Sequence, residues 1–327
     1  MNELYPLKFR PLFQEKIWGG QKIRTRLGLD FSPLPNCGEA WVLSGVEGSQ
    51  TEVSNGFLKG NELNELVEVF MDDLVGEKVF EKYRNRFPVL IKFIDSSEYL
   101  SIQVHPNDKL AAKRKAGSGK SEMWYILDSD RDAELITGFL HEVDPKTYLD
   151  HLKNKKLKEI LNVEKAGKGD VFYIPAGRVH ALGPGILLAE IQQTSDTTYR
   201  IYDCDRVDEK WNSRELHTEL ALEAIDFSVP PSYKTHYSRI ENKTAHLVEN
   251  EHFTANLLDL TQALRKDYSH LDSFVIFLCL EGTAQVVHEN GQESITRGEV
   301  LLLPAMLERA LLTPLPECRL LEIYIAG

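Results

Sequence analysis

Cysteine is scarce in this 327-residue chain: there are four, Cys37, Cys204, Cys279 and Cys318, with no C-x-x-C spacing among them. That excludes a disulfide framework and a thiolate zinc site, and the four read as reduced, small core residues. Positive charge is also short, since 38 Lys and Arg stand against 50 Asp and Glu, a formal net charge of −12. Binding to nucleic acid or an anionic membrane rests on phosphate neutralisation by clustered cations, so neither partner is expected. An anionic ligand must instead be met by local Lys or Arg. No run approaches the ~18 apolar residues of a membrane span, and Met1 to Lys8 shows no basic segment leading into an apolar one. The expected location is the cytoplasm. What remains is ordinary for a folded protein: 42% of residues are hydrophobic, which excludes disorder and collagen-like order. The length allows two domains at ~100–200 residues each.

Helical spacing marks three segments. From Asn61, a plausible N-cap, to Arg86, the residues Leu63, Leu66, Val67, Phe70 and Leu74 repeat on one face. Asp144-Pro145 opens a second helix that continues through Leu149, Leu152, Leu157, Ile160 and Leu161. A third, about Ser213 to Ala224, carries Leu216, Leu220 and Ala224 on one stripe. Most of the rest reads as short strands: Phe87 to Ile94, Leu100 to His105, Met123 to Leu127, Val171 to Ile174, Ile186 to Gln193, Phe274 to Leu280, Thr283 to His288, Val300 to Leu303 and Leu320 to Ile325. Many strands separated by Gly and Pro turns indicate a sandwich or jelly-roll barrel. The string GDVFYIPA, from Gly169, recurs as GEVLLLPA from Gly298, and EMWYIL, from Glu122, stands opposite SFVIFL from Ser273. Such an echo is what two copies of one small barrel leave in a sequence. We therefore expect a mainly β protein of two tandem barrels. The first spans residues 1–228, with helical insertions at about 61–86 and 144–161, and the second spans 229–327. Val229-Pro230-Pro231-Ser232 serves as the linker, because proline runs join neither helix nor central strand.

The chemistry gathers around SIQVHPND, from Ser101. Strand alternation sends Ser101, Gln103 and His105 to one face and Ile102 and Val104 to the other. An isolated Q-x-H on such a face reads first as a solvated strand, because an exposed polar face is routine. Two further residues change that reading: Glu122 opens an otherwise apolar strand, and His180 follows the turn that closes the repeated strand. Gln, His, Glu and His are nitrogen and oxygen donors that suit Zn²⁺. One carboxylate among neutral ligands leaves the ion with a net charge of about +1, still an effective Lewis acid.

SIQVHPND, then KSEMWYIL from Lys120, GDVFYIPAGRVHALG from Gly169 and AEIQQTSDTTYRIYD from Ala189 together resemble the type I mannose-6-phosphate isomerases of the short bacterial form. The resemblance implies a cupin fold, one zinc per chain and interconversion of mannose 6-phosphate with fructose 6-phosphate through an enediol. It places the zinc ligands on Gln103, His105, Glu122 and His180, and the catalytic arginine on Arg200, with Asp196 shortly before it. Read without the family, S-D-x-x-x-R is a turn with a surface ion pair. Lys120 matches the lysine of an H-K-P-E-M string that here reads GKSEM, without its histidine and proline. Glu190 matches a pocket carboxylate that acts as acid or base, and Ser101 lies beside the ligands. Glu39 resembles the family's E-L-W strand and Trp18 its W-G turn; for the tryptophans core packing is an equal reading.

In the second copy Ser273 aligns with Glu122 and Arg309 with His180, so that barrel is expected to hold no metal. Two other classes stay open at this level. One is a non-catalytic two-barrel sensor of sugar phosphates, favoured by loss of a ligand. The other is a different metal-dependent cupin enzyme, such as an iron dioxygenase with two His and a carboxylate. The retained Gln103 and the Lys and Arg cations argue against the latter.

Overall fold

The computed structural model describes residues 4–206, 213–289 and 291–326. Its architecture is mainly β. A six-stranded sheet runs in the order Val171–Ile174, Glu122–Ser129, Ile186–Gln193, Val89–Ser96, Glu39–Leu43, Leu12–Gln14. A five-stranded sheet faces it, in the order Leu161–Lys165, Glu134–Phe139, His180–Leu182, Ile102–Val104, Tyr199–Tyr202. Side-chain alternation decides what each face does. Trp124, Ile126, Ile174 and Leu188 of the six-stranded sheet meet Leu135 and Leu182 of the other inside the first barrel. On the back of the five-stranded sheet, Ile102, Val104, Ala181 and Ile201 lie under Tyr148 and Ala221 of two helices.

The second barrel is one eight-stranded sheet folded over itself. Its long strands Val275–His288 and Arg309–Tyr324 bend at register shifts between Cys279/Glu281 and Gly282/Ala284. The two strands expected at Phe274 to Leu280 and Thr283 to His288 are therefore one, because bulges turn the corner without ending the ladder. Leu320 to Ile325 is likewise the end of a strand that starts at Arg309. The barrels meet back to back. Ile91, Phe93, Met123, Tyr125 and Ala189 share one apolar cluster with Leu257, Ile276, Leu278, Leu321 and Ile323, and each buried side chain of this size contributes ~1.5–3 kcal/mol relative to exposure. One strand from the beginning of the chain, Leu7–Lys8, pairs with Val300–Leu303 in the far sheet.

The repeat is real, but its register differs from the aligned strings. Val171↔Tyr125 and Ile174↔Glu122 in one copy correspond to Val300↔Leu278 and Leu303↔Val275 in the other. The counterpart of Glu122 is thus Val275, two residues beyond Ser273. Arg309 does pair with Asp267 where His180 pairs with Gln103, but both residues are exposed.

The helices depart from expectation in instructive ways. The segment 61–86 is two helices, Leu63–Val75 and Glu77–Tyr83, and the N-cap is Glu62, in a capping box with Glu65, not Asn61. The break falls at Gly76 (φ 92°), where a Cβ would lie 2.5 Å from the Asp272 carbonyl. The Asp272 carboxylate then accepts the N–H groups of Glu77 and Lys78, at 2.7 and 3.0 Å. Asp272→Ala should lower stability by ~1–2 kcal/mol in denaturant titrations while leaving turnover within about two-fold, because it removes only this cap. The second helix, Pro145–Lys153, is capped by Asp144 as expected, but it ends early; a 3₁₀ turn at Leu157–Glu159 leads into the strand Leu161–Lys165. Tyr148, not Leu149, is its buried anchor. The third is only Thr218–Ala224; Leu216 precedes it, Leu220 faces solvent, and Ala221 makes the packed contact. No helix of the described residues is long and apolar enough to cross a membrane.

Candidate functional site

Three strands of the first barrel bring four metal-type ligands to its interior. Gln103 and His105 come from Ile102–Val104 and its exit, Glu122 from the start of Glu122–Ser129, and His180 from the start of His180–Leu182. The Nε2 atoms of His105 and His180 each lie 3.4 Å from a different oxygen of Glu122. Donors ~2.0–2.1 Å from a tetrahedral zinc ion stand about 3.3–3.4 Å apart, so the spacing fits that ion. Both Glu122 oxygens are buried and accept no hydrogen bond; the Lys120 ammonium stands 3.1 Å from Oε2, while Oε1 has only His180 Nε2 opposite it at 3.4 Å, a costly state unless a further cation completes it. Each histidine directs Nδ1 to a backbone carbonyl at 2.9 Å, His105 to Thr197 and His180 to Arg178. That contact fixes the tautomer with the Nε2 lone pair facing the cluster. The Gln103 side-chain amide sits 3.2 Å from Nε2 of His180, and a turn of the amide presents its oxygen there instead. Among the described residues, His105, Glu122 and His180 are the one group of this kind, with ligand atoms all within 4.8 Å.

The electrostatics agree with that arrangement. Burial, reinforced by the Lys120 charge, pushes His105 down to about 3, and His180 is lowered for the same first reason, so both rings are neutral. Burial opposes the charge on Glu122, but Lys120 and the two histidines outweigh it and hold the carboxyl well below its usual range. The Lys120 ammonium lies 3.1 Å from Glu122 Oε2 and 3.2 Å from His105 Nε2. Its own pKa is raised: Glu122 and Glu190 together overcome the cost of burial.

A cavity of about 320 Å³ opens onto this cluster, within the ~300–1,000 Å³ of small-molecule sites. Of the residues singled out from sequence, Trp18, Glu39, Ser101, Gln103, Lys120, His180, Glu190, Asp196 and Arg200 all line it, with His105 and Glu122 behind. Asp196 and Arg200 make no ion pair with each other. Arg200 donates to the Glu215 carbonyl at 3.0 Å, and its Nε is buried without a partner among the described residues. Glu190 accepts from Trp124 Nε1 at 2.9 Å and lies 3.7 Å from Lys92, while its Oε1 has no hydrogen-bond donor. Burial and the neighbouring Glu122 charge raise its pKa. Glu39 is the opposite case: burial opposes its charge, but Lys92 and Lys16 outweigh that and bring it down to about 2.

The lining residues not singled out from sequence include Lys16, Lys92, Trp124 and Arg214. Lys92 had a visible signal, a lone charge inside the apolar run PVLIKFI, from Pro88. It is buried, 3.3 Å from Glu39 and over the Trp41 ring at 4.5 Å. Arg214 had none, since a loop brings it there and Asp203 holds it. With Lys16, Lys92, Lys120 and Arg200 it brings five cations to a lining that also carries Glu39, Glu190 and Asp196, in a chain of net charge −12.

Comparison with known proteins gives consistent results along the chain. Residues 6–162 match the model of the type I phosphomannose isomerase catalytic domain, and residues 242–324 match the cupin domain of mannose-6-phosphate isomerase. The chain is 36% identical over 320 residues to mannose-6-phosphate isomerase ManA of Bacillus subtilis, covering 96% of this chain and 97% of the relative. It is 31% identical to the mannose-6-phosphate isomerase of Streptococcus mutans, covering 91% and 92%. The crystal structure of mannose 6-phosphate isomerase from Bacillus subtilis superposes with a TM-score of 0.87 at 32% identity, over 97% of this chain and 99% of that one.

Proposed function

This chain belongs to the type I phosphomannose isomerase family, and from that premise we propose that it interconverts mannose 6-phosphate and fructose 6-phosphate using one zinc ion held by Gln103, His105, Glu122 and His180. The observation that carries this reading is the buried Glu122 carboxylate, without a hydrogen bond, between two tautomer-fixed histidines at the end of a cavity lined by five Lys and Arg side chains and three carboxylates. A zinc ion bound there supplies Lewis acidity toward the oxygens of the opened sugar. Nitrogen and oxygen donors without thiolate are the set for a catalytic ion of this kind.

The chain's own groups then divide the work. Aldose–ketose exchange moves one proton between C2 and C1 through an enediol, so it needs a base near those carbons and positive charge near the oxygens. We assign the base to Glu190. Its Oε1 accepts no hydrogen bond, with the Lys92 ammonium 3.7 Å away, the residue lines the cavity, and its raised pKa makes it a stronger proton acceptor than an exposed carboxylate. Lys120 stays an ammonium and stabilises developing negative charge beside the ligand cluster. Arg200 and Arg214 are the cations assigned to the phosphate, with Ser101, Asp196, Glu39 and Trp18 shaping the wall. Catalysis is assigned to residues 1–228. The barrel of residues 229–327 is assigned a supporting role and no metal, because Val275 and Arg309 stand at the positions of Glu122 and His180.

The direct test is a coupled assay for conversion of mannose 6-phosphate to fructose 6-phosphate with metal-analysed protein, where no turnover at one zinc per chain rejects the reading. Arg200→Ala refines it. A charge-assisted hydrogen bond is worth ~1.5–3 kcal/mol, so kcat/KM on mannose 6-phosphate should fall by roughly 10- to 150-fold. A loss confined to the phosphorylated sugar assigns Arg200 to the anion. Equal fractional losses on mannose assign it to the reacting end, and no loss on either removes it from the site.

A further inference from the structure

We propose that Asp108 and Gln193 are positioning residues for the reaction, fixing the backbone on both sides of Lys120 and so aiming its ammonium at the reacting end of the cavity. The inference rests on the catalytic reading of Lys120 and adds what makes that reading geometrically workable. A lysine is a point charge on a flexible four-carbon stem, and its reach is defined only where its backbone is held. Here three consecutive peptide N–H groups go to three different acceptors. Gly119 donates to Asp108 Oδ1 at 2.7 Å, Lys120 to the Pro106 carbonyl at 3.0 Å, and Ser121 to Gln193 Oε1 at 2.9 Å. The two side chains are joined, since Gln193 Nε2 donates to the same Asp108 oxygen at 3.0 Å. Both peptide planes flanking the Lys120 Cα are therefore pinned, and with them the direction of its Cβ.

The surroundings indicate a built clamp. Gln193 is 5% exposed and its backbone N–H returns to the Ser121 carbonyl at 3.2 Å. Gly119 allows the close approach, because a Cβ there would lie 2.5 Å from the Asp108 nitrogen. Asp108 is the first residue of the helix Asp108–Arg114, but the cap of that helix is Asn107, whose side chain accepts from Leu110. The inner oxygen of Asp108 accepts from Gly119 and Gln193, outside its own helix. Separate from the clamp, Ser195 and Thr197 hold the carbonyls of Ser118 and Ala116 at 3.0 Å each, so the segment leading into Gly119 is fixed from a second side.

The test is steady-state kinetics on zinc-loaded full-length variants, with metal content measured on each. Asp108→Ala should lower kcat by roughly 10- to 100-fold, the effect of about 1 Å of misplacement, with KM for mannose 6-phosphate and zinc stoichiometry little changed. Asp108→Asn, whose Oδ1 accepts both bonds, should recover most of the loss. In a Lys120→Ala background, Asp108→Ala should add almost nothing, since the clamp acts only through that side chain. Multiplying losses, a KM effect without a kcat effect, or loss that tracks zinc content each overturn the inference. Near-normal turnover of Lys120→Ala alone overturns the reading of Lys120 beneath it, and the two failures are told apart by that variant. If Asp108→Ala does not fold, Gln193→Met carries the same test, because it keeps the volume and removes both side-chain bonds.

Discussion

The double variant His105→Ala, His180→Ala should bind no zinc and turn over at least ~10³-fold more slowly, because Lewis-acid stabilisation of several kcal/mol goes with the ion. The fold should survive. Both rings are neutral and buried in a shell that includes Trp124, so removal leaves a cavity, not an unpaired charge. The remaining Glu122 keeps Lys120 as its nearby cation. Metal analysis after dialysis is the primary readout. Retention of one zinc per chain in the double variant would place the ion elsewhere and undo the ligand assignment.

Glu190→Gln is expected to have the second largest effect: kcat lowered by ~10²- to 10⁴-fold, the range of a general base, with zinc content unchanged. The substitution preserves shape, and an amide oxygen can still accept from Trp124 Nε1. What disappears is basicity at an oxygen that no donor occupies in the structure. Loss of the carboxylate also leaves Lys92 with Glu39 as its remaining partner, at 3.3 Å, so a thermal melt is needed alongside the kinetics. A variant that melts normally and exchanges the substrate C2 proton with solvent at the wild-type rate would take the base role away from Glu190.

The cluster of His105, Glu122 and His180 with Gln103 beside it was legible because its signals are local. Alternation alone sends Gln103 and His105 to one face, and a glutamate at the mouth of an apolar strand requires an inward partner. The two-barrel plan was legible from the repeated turn and strand. Pairing was not: one apolar strand slides against another in a string comparison without penalty, and only the ladder showed that Val275 replaces Glu122. The break at Gly76 depends on Asp272, 195 residues beyond Glu77, which no local pattern reports. Lys92 is a different case. It is a cation in an otherwise buried strand, a local signal of a buried partner that does not say which partner or which cavity. Arg214 reaches the cavity through a loop whose path follows from no periodicity.

The pairing of Leu7–Lys8 with Val300–Leu303, reinforced by the Lys8–Glu299 ion pair at 2.8 Å, has a meaning in time. At ~5–20 residues per second, the partner of Leu7 is synthesised about 15–60 s after Leu7 itself. Throughout that interval the nascent chain carries an unmatched strand edge that the first barrel cannot satisfy. Closing the contact then waits on the strand Val300–Leu303, and it ties together two segments made far apart in time. A ribosome stalled before residue 300 would hold a chain whose pocket residues are all present but whose opening strand has nowhere to dock.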